Sequence, residues 1–244
     1  MSYLELSLNR YIKFEEPKGF INSETFHKAC DQIDYYYDNY QLKFNSINYP
    51  IPEISPWDHS TFKVGKKPFD LYTTFGKIQM GFFISIRLVE FLKDFQIGDH
   101  KIFYDIVCKK KDGSRYKDLC WIAFYTDYWS YLNYKLSKFY LIKQWEPAFN
   151  EDGSDFRFEE NLTFKNTLEL EQYKIELRKT NFRMHCSLAF LDLPQKLDFF
   201  PLFEISDKSF FCSENFSKEF NKNKFTGAEI TIPYNIQVQS QYGS

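Results

Sequence analysis

Aromatic side chains dominate this chain: of its 244 residues 28 are Phe and 18 are Tyr, together 46, against only five alanines. No motif constrains the fold as much as that imbalance does. Aromatic rings supply large apolar contact area and Tyr adds a polar tip, so the chain can fill a core and still place rings on its surface. The same richness, alongside abundant Lys, Asn and Ile, also follows from an AT-rich coding sequence. It therefore says much about packing and little about chemistry.

A length of 244 residues supports a sizeable core in one large domain or two small ones. Hydrophobic residues make up 43% and charged residues 26%, which is the range of an ordered globular chain. With 31 basic against 33 acidic residues the net charge is −2, so the general positive field of a nucleic-acid binder is missing. The one basic run, Lys109-Lys110-Lys111, leads into Asp112-Gly113 and reads as a solvated hairpin tip rather than a phosphate-binding patch. The N-terminal residues Met1 to Glu5 carry no signal-peptide pattern. The longest nearly apolar run, Met80 to Ile86, is far shorter than a membrane span. Cys30, Cys108, Cys120, Cys186 and Cys212 are odd in number and scattered, as suits reduced thiols. The expectation is a soluble cytoplasmic protein with no nucleic-acid or membrane partner, no disulfide, no metal and no cofactor.

Along the chain, Tyr3 to Phe14 alternates as a strand with an irregularity near Asn9-Arg10. After Pro17-Lys18-Gly19, Asn22 or Ser23 caps a helix whose apolar positions Phe26, Cys30, Ile33, Tyr37 and Tyr40 recur at helical spacing. Residues 45–70, with Pro50, Pro52, Pro56 and Pro68, read as an extended connection. Phe82-Phe83-Ile84 is a strand, Ser85 an N-cap, and Leu88, Phe91, Leu92 and Phe95 one helical face that Gly98 ends. Lys101 to Lys109 and Tyr116 to Tyr125 form two strands joined at Lys111-Asp112-Gly113-Ser114. A strand covers Phe139 to Lys143, and Glu151-Asp152-Gly153-Ser154 marks a turn. Residues 162–192 mix helical and strand signals, with strands favoured after Lys174. Leu202 to Ile205 is a strand, Ser213 caps a short helix through Phe216 and Phe220, and Phe225 to Ile232 turns into a last strand. The tail Gln237 to Ser244 is polar and reads as frayed. No internal repeat is legible. The pattern predicts a single α+β domain over 1–244, of antiparallel hairpins with interspersed helices.

The residues offer no chemistry of a recognisable kind. His185-Cys186 is the nearest approach to a zinc pair, yet neighbours on a strand point to opposite faces. Cys186 or Cys120 as a nucleophile lacks a recognisable activating turn. No phosphate loop, dinucleotide glycine pattern, H-E-x-x-H or G-x-S-x-G occurs. No catalytic, cofactor or metal residue is therefore assigned. The alternative to a binding protein is a small hydrolase-like enzyme with an unrecognised pocket, built on Cys186 or an Asp/His pair.

Two segments do resemble a known family. One runs Phe83-Ile84-Ser85-Ile86-Arg87-Leu88-Val89-Glu90-Phe91-Leu92, followed by a hairpin and the aromatic run Asp127 to Phe139 with its Tyr134-Lys135-Leu136-Ser137-Lys138-Phe139 element. The other runs Leu202 to Ile205, then Phe211-Cys212-Ser213-Glu214-Asn215-Phe216, then Phe225-Thr226-Gly227-Ala228-Glu229-Ile230. This order, over residues 80–232, is similar to the MXAN-type immunity proteins of bacterial polymorphic toxin systems. The family shows a V-S-x-R-L-x-x-L-L helix and an ending with V-S-E-x-L and T-G; Phe216 here replaces its usual aliphatic residue. The first 75 residues carry none of its signature. The resemblance implies a protein that binds and neutralises a cognate toxin, with no catalytic residue.

A toxin antagonist of that kind needs exposed aromatic anchors with acidic neighbours. On the first helix, three consecutive tyrosines spread over about 200°, so with Tyr37 in the buried stripe at least one of Tyr35 and Tyr36 faces outward, beside Asp38. Trp129 and Tyr131 lie among Asp127, Ser130 and Asn133. These five residues, Tyr35, Tyr36, Asp38, Trp129 and Tyr131, are the candidate partner surface. The competing reading for each ring is simple packing between helix and sheet. Neither the toxin nor the oligomeric state follows from the sequence.

Overall fold

The computed structural model describes residues 2–8, 13–14, 61–65, 67–73, 81–104, 106–110, 112–126, 128–143, 159–177, 179–202, 210–233 and 236–242. The first half of these carries β1 (Ser2–Leu8), β2 (Lys13–Phe14), β3 (Thr61–Lys63), β4 (Leu71–Thr73), β5 (Gly81–Ser85), helix α1 (Ile86–Leu92), β6 (His100–Phe103), β7 (Val107–Lys109), β8 (Arg115–Tyr116) and β9 (Leu119–Phe124). The second half carries β10 (Lys138–Lys143), β11 (Glu159–Leu162), α2 (Thr167–Leu177), β12 (Phe182–Leu191), β13 (Phe199–Pro201), β14 (Phe210–Cys212), α3 (Glu214–Lys222), β15 (Ala228–Thr231) and β16 (Gln237–Ser240). The architecture is broadly α+β with the sheet dominant. It is not purely antiparallel, because β3 pairs β7 and β12 pairs β16 in parallel.

Two four-stranded units share one plan. The first is the sheet β4-β5-β9-β6. The second lies inside the larger sheet β11-β10-β12-β16-β1-β14-β13, where β15 also pairs β1, so its order is β13-β14-β1-β15. The registers coincide at a constant offset of 128 (199 − 71). Leu71 faces Ile84 as Phe199 faces Cys212, and Ile102 faces Ile122 as Ile230 faces Leu6. Each second strand runs straight into a serine-capped helix. Ser85 accepts from Leu88 N at 3.2 Å and Ser213 from Phe216 N at 3.1 Å, both in extended backbone.

A pair of aspartates locks the units together. Ser85 Oγ donates to Asp70 Oδ1 at 2.8 Å, and Ser213 Oγ donates to Asp198 Oδ1 at 2.7 Å. Each aspartate also holds the segment that follows the other unit's helix: Thr226 N donates to Asp70 Oδ2 at 3.0 Å and Gln96 N to Asp198 Oδ2 at 3.2 Å. The backbone returns the favour, Asp70 N donating to Thr226 O at 3.0 Å and Asp198 N to Gln96 O at 2.6 Å. Backbone groups before and after both helices thus find partners across the units, as burial requires.

The inner faces of both units form one apolar cluster of matched positions: Phe82 with Phe210, Ile84 with Cys212, Leu88 with Phe216 and Leu92 with Phe220. Phe216 lies 5.0–5.9 Å from the rings of Phe91, Phe95, Phe199 and Phe220, and such pairs add about 0.5–1.5 kcal/mol beyond area burial. The outer faces bury separately. Tyr72, Phe83 and Trp121 pack with Phe62 and Cys108, while Tyr3, Phe200 and Phe211 pack with Leu170, Leu191 and Val238. The aromatic excess fills these three layers.

Several sequence expectations change. Far from fraying, residues 237–240 form β16, held between β12 and β1. Ile236, Val238 and Ser240 alternate inward there, a period-2 signal hidden by the glutamines between them. The run Lys101–Lys109 is two strands in two sheets, β6 pairing β9 and β7 pairing β8, and Tyr116–Tyr125 divides likewise. The tip is the expected turn, with Lys110 N donating to Ser114 O at 2.8 Å and Gly113 at φ 84°. Residues 167–177 stay helical past Lys174, because Asn166 Oδ1 accepts from Glu169 N while Glu169 accepts from Lys165 N. α1 ends at Leu92 rather than Gly98, with Phe91 and Phe95 only half-buried. β13 covers Phe199–Pro201, on a sheet edge that tolerates proline; of the strand expected at 202–205, Leu202 lies just past β13 and residues 203–205 fall outside the described residues. So do the first helix, residues 45–60 of the connection expected over 45–70, whose last part holds β3, and the turn at 151–154.

Candidate functional site

The matched helices α1 and α3 run antiparallel and leave an open groove of about 510 Å³ between them. Its walls are equivalent stripes at helical spacing: Arg87, Phe91 and Phe95 on one side, Asn215, Glu219 and Asn223 on the other. Glu90, Asp94 and Phe225 complete the lining. The floor is aromatic, with Phe91 4.7 Å from Phe95 and 4.9 Å from Phe225.

Arg87 closes one end. Its Nε and Nη2 donate to the two Asp70 oxygens at 3.2 and 2.8 Å, and its Nη1 donates to Asn223 O at 3.1 Å, past the end of α3. The guanidinium also lies 4.3 Å from the centroid of the Phe225 ring. Burial by itself would raise the Asp70 carboxyl, but hydrogen bonds from Arg87, Ser85 and Thr226 outweigh it and hold the group below the usual carboxylate range. Three carboxylates rim the rest. Glu90 pairs with Lys93 at 2.6 Å and Glu219 with Lys222 at 2.9 Å, exposed i,i+3 pairs worth only a few tenths of a kcal/mol. The chemistry on offer is recognition of shape, aromatic surface and positive charge.

Of the sequence-predicted partner residues, Tyr131 has a described side chain, and it does not line this groove. Tyr35, Tyr36 and Asp38 lie outside the described residues. Trp129 belongs to the 3₁₀ turn Tyr128–Tyr131, its side chain outside the described set. Tyr131 is half-buried, stacked on Tyr128 at 6.0 Å and packed against the cluster that holds Phe200 and Val238. The apolar periodicity of each helix marks its buried face and not the groove face. The i, i+4, i+8 stripes at 87-91-95 and 215-219-223 were the available signal, together with the recurrence of Phe82-Phe83-Ile84-Ser85 as Phe210-Phe211-Cys212-Ser213.

His185 and Cys186 occupy opposite faces of β12, as strand geometry demands. His185 stacks on Tyr140 at 5.6 Å, and burial together with Arg183 lowers its basicity. Cys186 turns to the Tyr3–Phe211 side, and burial pushes its thiol up. Burial likewise pushes Cys108, Cys120 and Cys212 up to about 12, the opposite of what activates a nucleophilic thiol. Among the described residues no group of three or more His, Cys, Asp or Glu could hold a metal ion, and no helix is long and apolar enough to cross a membrane. Compared with known proteins, the chain matches no family model, and no curated protein or solved structure shows significant similarity to it.

Proposed function

We propose that this protein is an immunity protein, which binds a cognate bacterial toxin in the cytoplasm and neutralises it by occlusion, without catalysis of its own. The observation that carries the reading is the groove between α1 and α3. Its lining combines an aromatic floor with a carboxylate rim and, among the described residues, includes no Cys, His, Ser or Thr. Such a surface suits anchoring and charge complementarity. The segments whose residues resemble the immunity family, 83–92 and 211–230, supply seven of its nine described lining residues, all but Asp94 and Phe95, which supports a functional reading of that resemblance.

The test is co-expression with the product of an adjacent toxin gene. The expected result is rescue of growth and co-purification of the two chains in fixed stoichiometry. Rescue failing while both proteins are soluble, with no complex on size exclusion, would sink the reading.

A further inference from the structure

The two helices are equivalent in position but not in chemistry, and the groove is consequently half filled. At one end the chain supplies its own cation: Arg87 reaches across from α1 to Asn223 O, over the Phe225 ring. The matching position on α3, 128 residues on (215 − 87), is Asn215, which is too short to do the same. That end is formed by Asp94, Phe95 and Asn215, with the Phe95 ring 5.0 Å from Phe216. Phe95 is half-buried and Asp94 exposed, so an aromatic face and a carboxylate stand open to solvent together.

We propose that this open end is an arginine subsite: it takes a guanidinium from a basic segment of a partner protein, at the end of the groove opposite the one that Arg87 fills. The partner's side chain lays its stem on Phe95 and Phe91, with its head between Asp94 and Glu219. The argument rests on charge complementarity. Glu90, Asp94 and Glu219 rim the groove; Glu90 and Glu219 are shared with Lys93 and Lys222 in exposed pairs that a guanidinium can displace cheaply, and among the described lining residues the cation Arg87 is already bound to Asp70. A guanidinium suits the site better than an ammonium, because it can lie flat on a ring and still donate to a carboxylate in its own plane. This deepens the toxin-binding reading, which it uses only for the presence of a protein partner.

The experiment uses the full-length chain and no toxin. Backbone amide shifts are followed by NMR during titration with N-acetyl-arginine amide, with its neutral isostere N-acetyl-citrulline amide, and with a helical arginine-leucine peptide. The expected result is saturable shifts at Asp94, Phe95, Asn215 and Glu219, with citrulline binding about tenfold weaker. The exposed substitution Asp94→Asn should weaken arginine binding several-fold at an unchanged melting temperature. Equal binding of citrulline, shifts confined to other surfaces, or no saturable shift with either arginine probe would overturn the proposal. Failure here removes the arginine subsite and leaves the co-expression test standing. Arginine binding without toxin capture removes the toxin reading alone.

Discussion

The unit around Asp70 and the unit around Asp198 reach one geometry by different local routes. Helix α1 has seven residues and α3 nine. The connection that follows compensates. Three residues separate Gln96, which contacts the aspartate, from His100 at the start of β6, whereas a single residue separates Thr226 from Ala228 at the start of β15. That single residue is Gly227, at φ 100°, where a Cβ would stand 2.1 Å from Leu71 O. The third strand differs in origin as well: β9 follows β6 in the chain, whereas its counterpart β1 arrives from the N-terminus. A shared fold therefore needs no aligned repeat. It needs the same pairings and the same buried positions, which unlike stretches of chain can supply.

The comparison can be broken hardest at β16, which flanks β1 in one unit and has no counterpart beside β9 among the described residues. Deleting residues 237–244 opens the edges of both β12 and β1 and removes the buried Val238. The expected outcome is loss of cooperative unfolding, measured by thermal melts, with amide protection lost first around β1. A deletion variant that melts like the full chain would show that β16 is dispensable.

Gly227→Ala tests the shortened connection. Positive φ and the clash with a backbone oxygen together should cost about 3 kcal/mol or more in urea unfolding. At Gly98, in the longer connection, the nearest obstacle is the Tyr128 ring at 2.8 Å, a side chain rather than backbone, and the φ there is not in the left-handed region. Gly98→Ala is thus expected to cost clearly less. Equal costs would mean that the short connection is not under special constraint.

Next in size is Asp70→Asn, expected to cost about 2 kcal/mol because it leaves Arg87 and Thr226 without the carboxylate. Half-exposure of Arg87 keeps the loss below that of a fully buried pair. The sign of the pH effect follows from the depressed carboxyl. Its stabilisation is fully present above the ordinary value of 3.8 and is lost as pH falls below that value toward the folded one. Wild-type stability should accordingly drop more steeply than that of Asp70→Asn on acidification below about pH 4. Parallel acid curves would assign the acid sensitivity elsewhere.

The serine caps should behave alike. Ser85→Ala and Ser213→Ala are each expected to cost about 1 kcal/mol, since each removes one cap to a helix and one donor to an aspartate. A large difference between them would locate the rigid half of the molecule.

Local signals were legible in proportion to how local the physics is. Ser85 and Ser213 were identified as caps because a cap needs only a hydroxyl three residues before a free N–H. The turn at Lys110–Ser114 was equally plain, Asp112 accepting from Ser114 N and Gly113 supplying the left-handed step. Asn166 as the cap of α2 used the same grammar and was overlooked, because the β-prone residues after Lys174 weighed against a helix. His185 and Cys186 were separated correctly by strand alternation alone. The candidate partner residues were chosen by exposure and residue type, whereas the groove exists only where α1 and α3 meet.

The sequence by itself determined the capped helices, the hairpin tip, and the abundance of rings that three apolar layers would bury. Tertiary structure decided which strands pair. Gln237 to Ser240 reads as a polar tail until β12 and β1 bond its backbone and bury Val238. Asp70 and Asp198 are unremarkable carboxylates until each captures a segment from the other unit, in one case 156 residues away. The physical reason is range. Caps and turns are decided within a few residues, while the place of β1 in its sheet, the joining of the matched units and the groove depend on contacts whose partners lie more than a hundred residues apart.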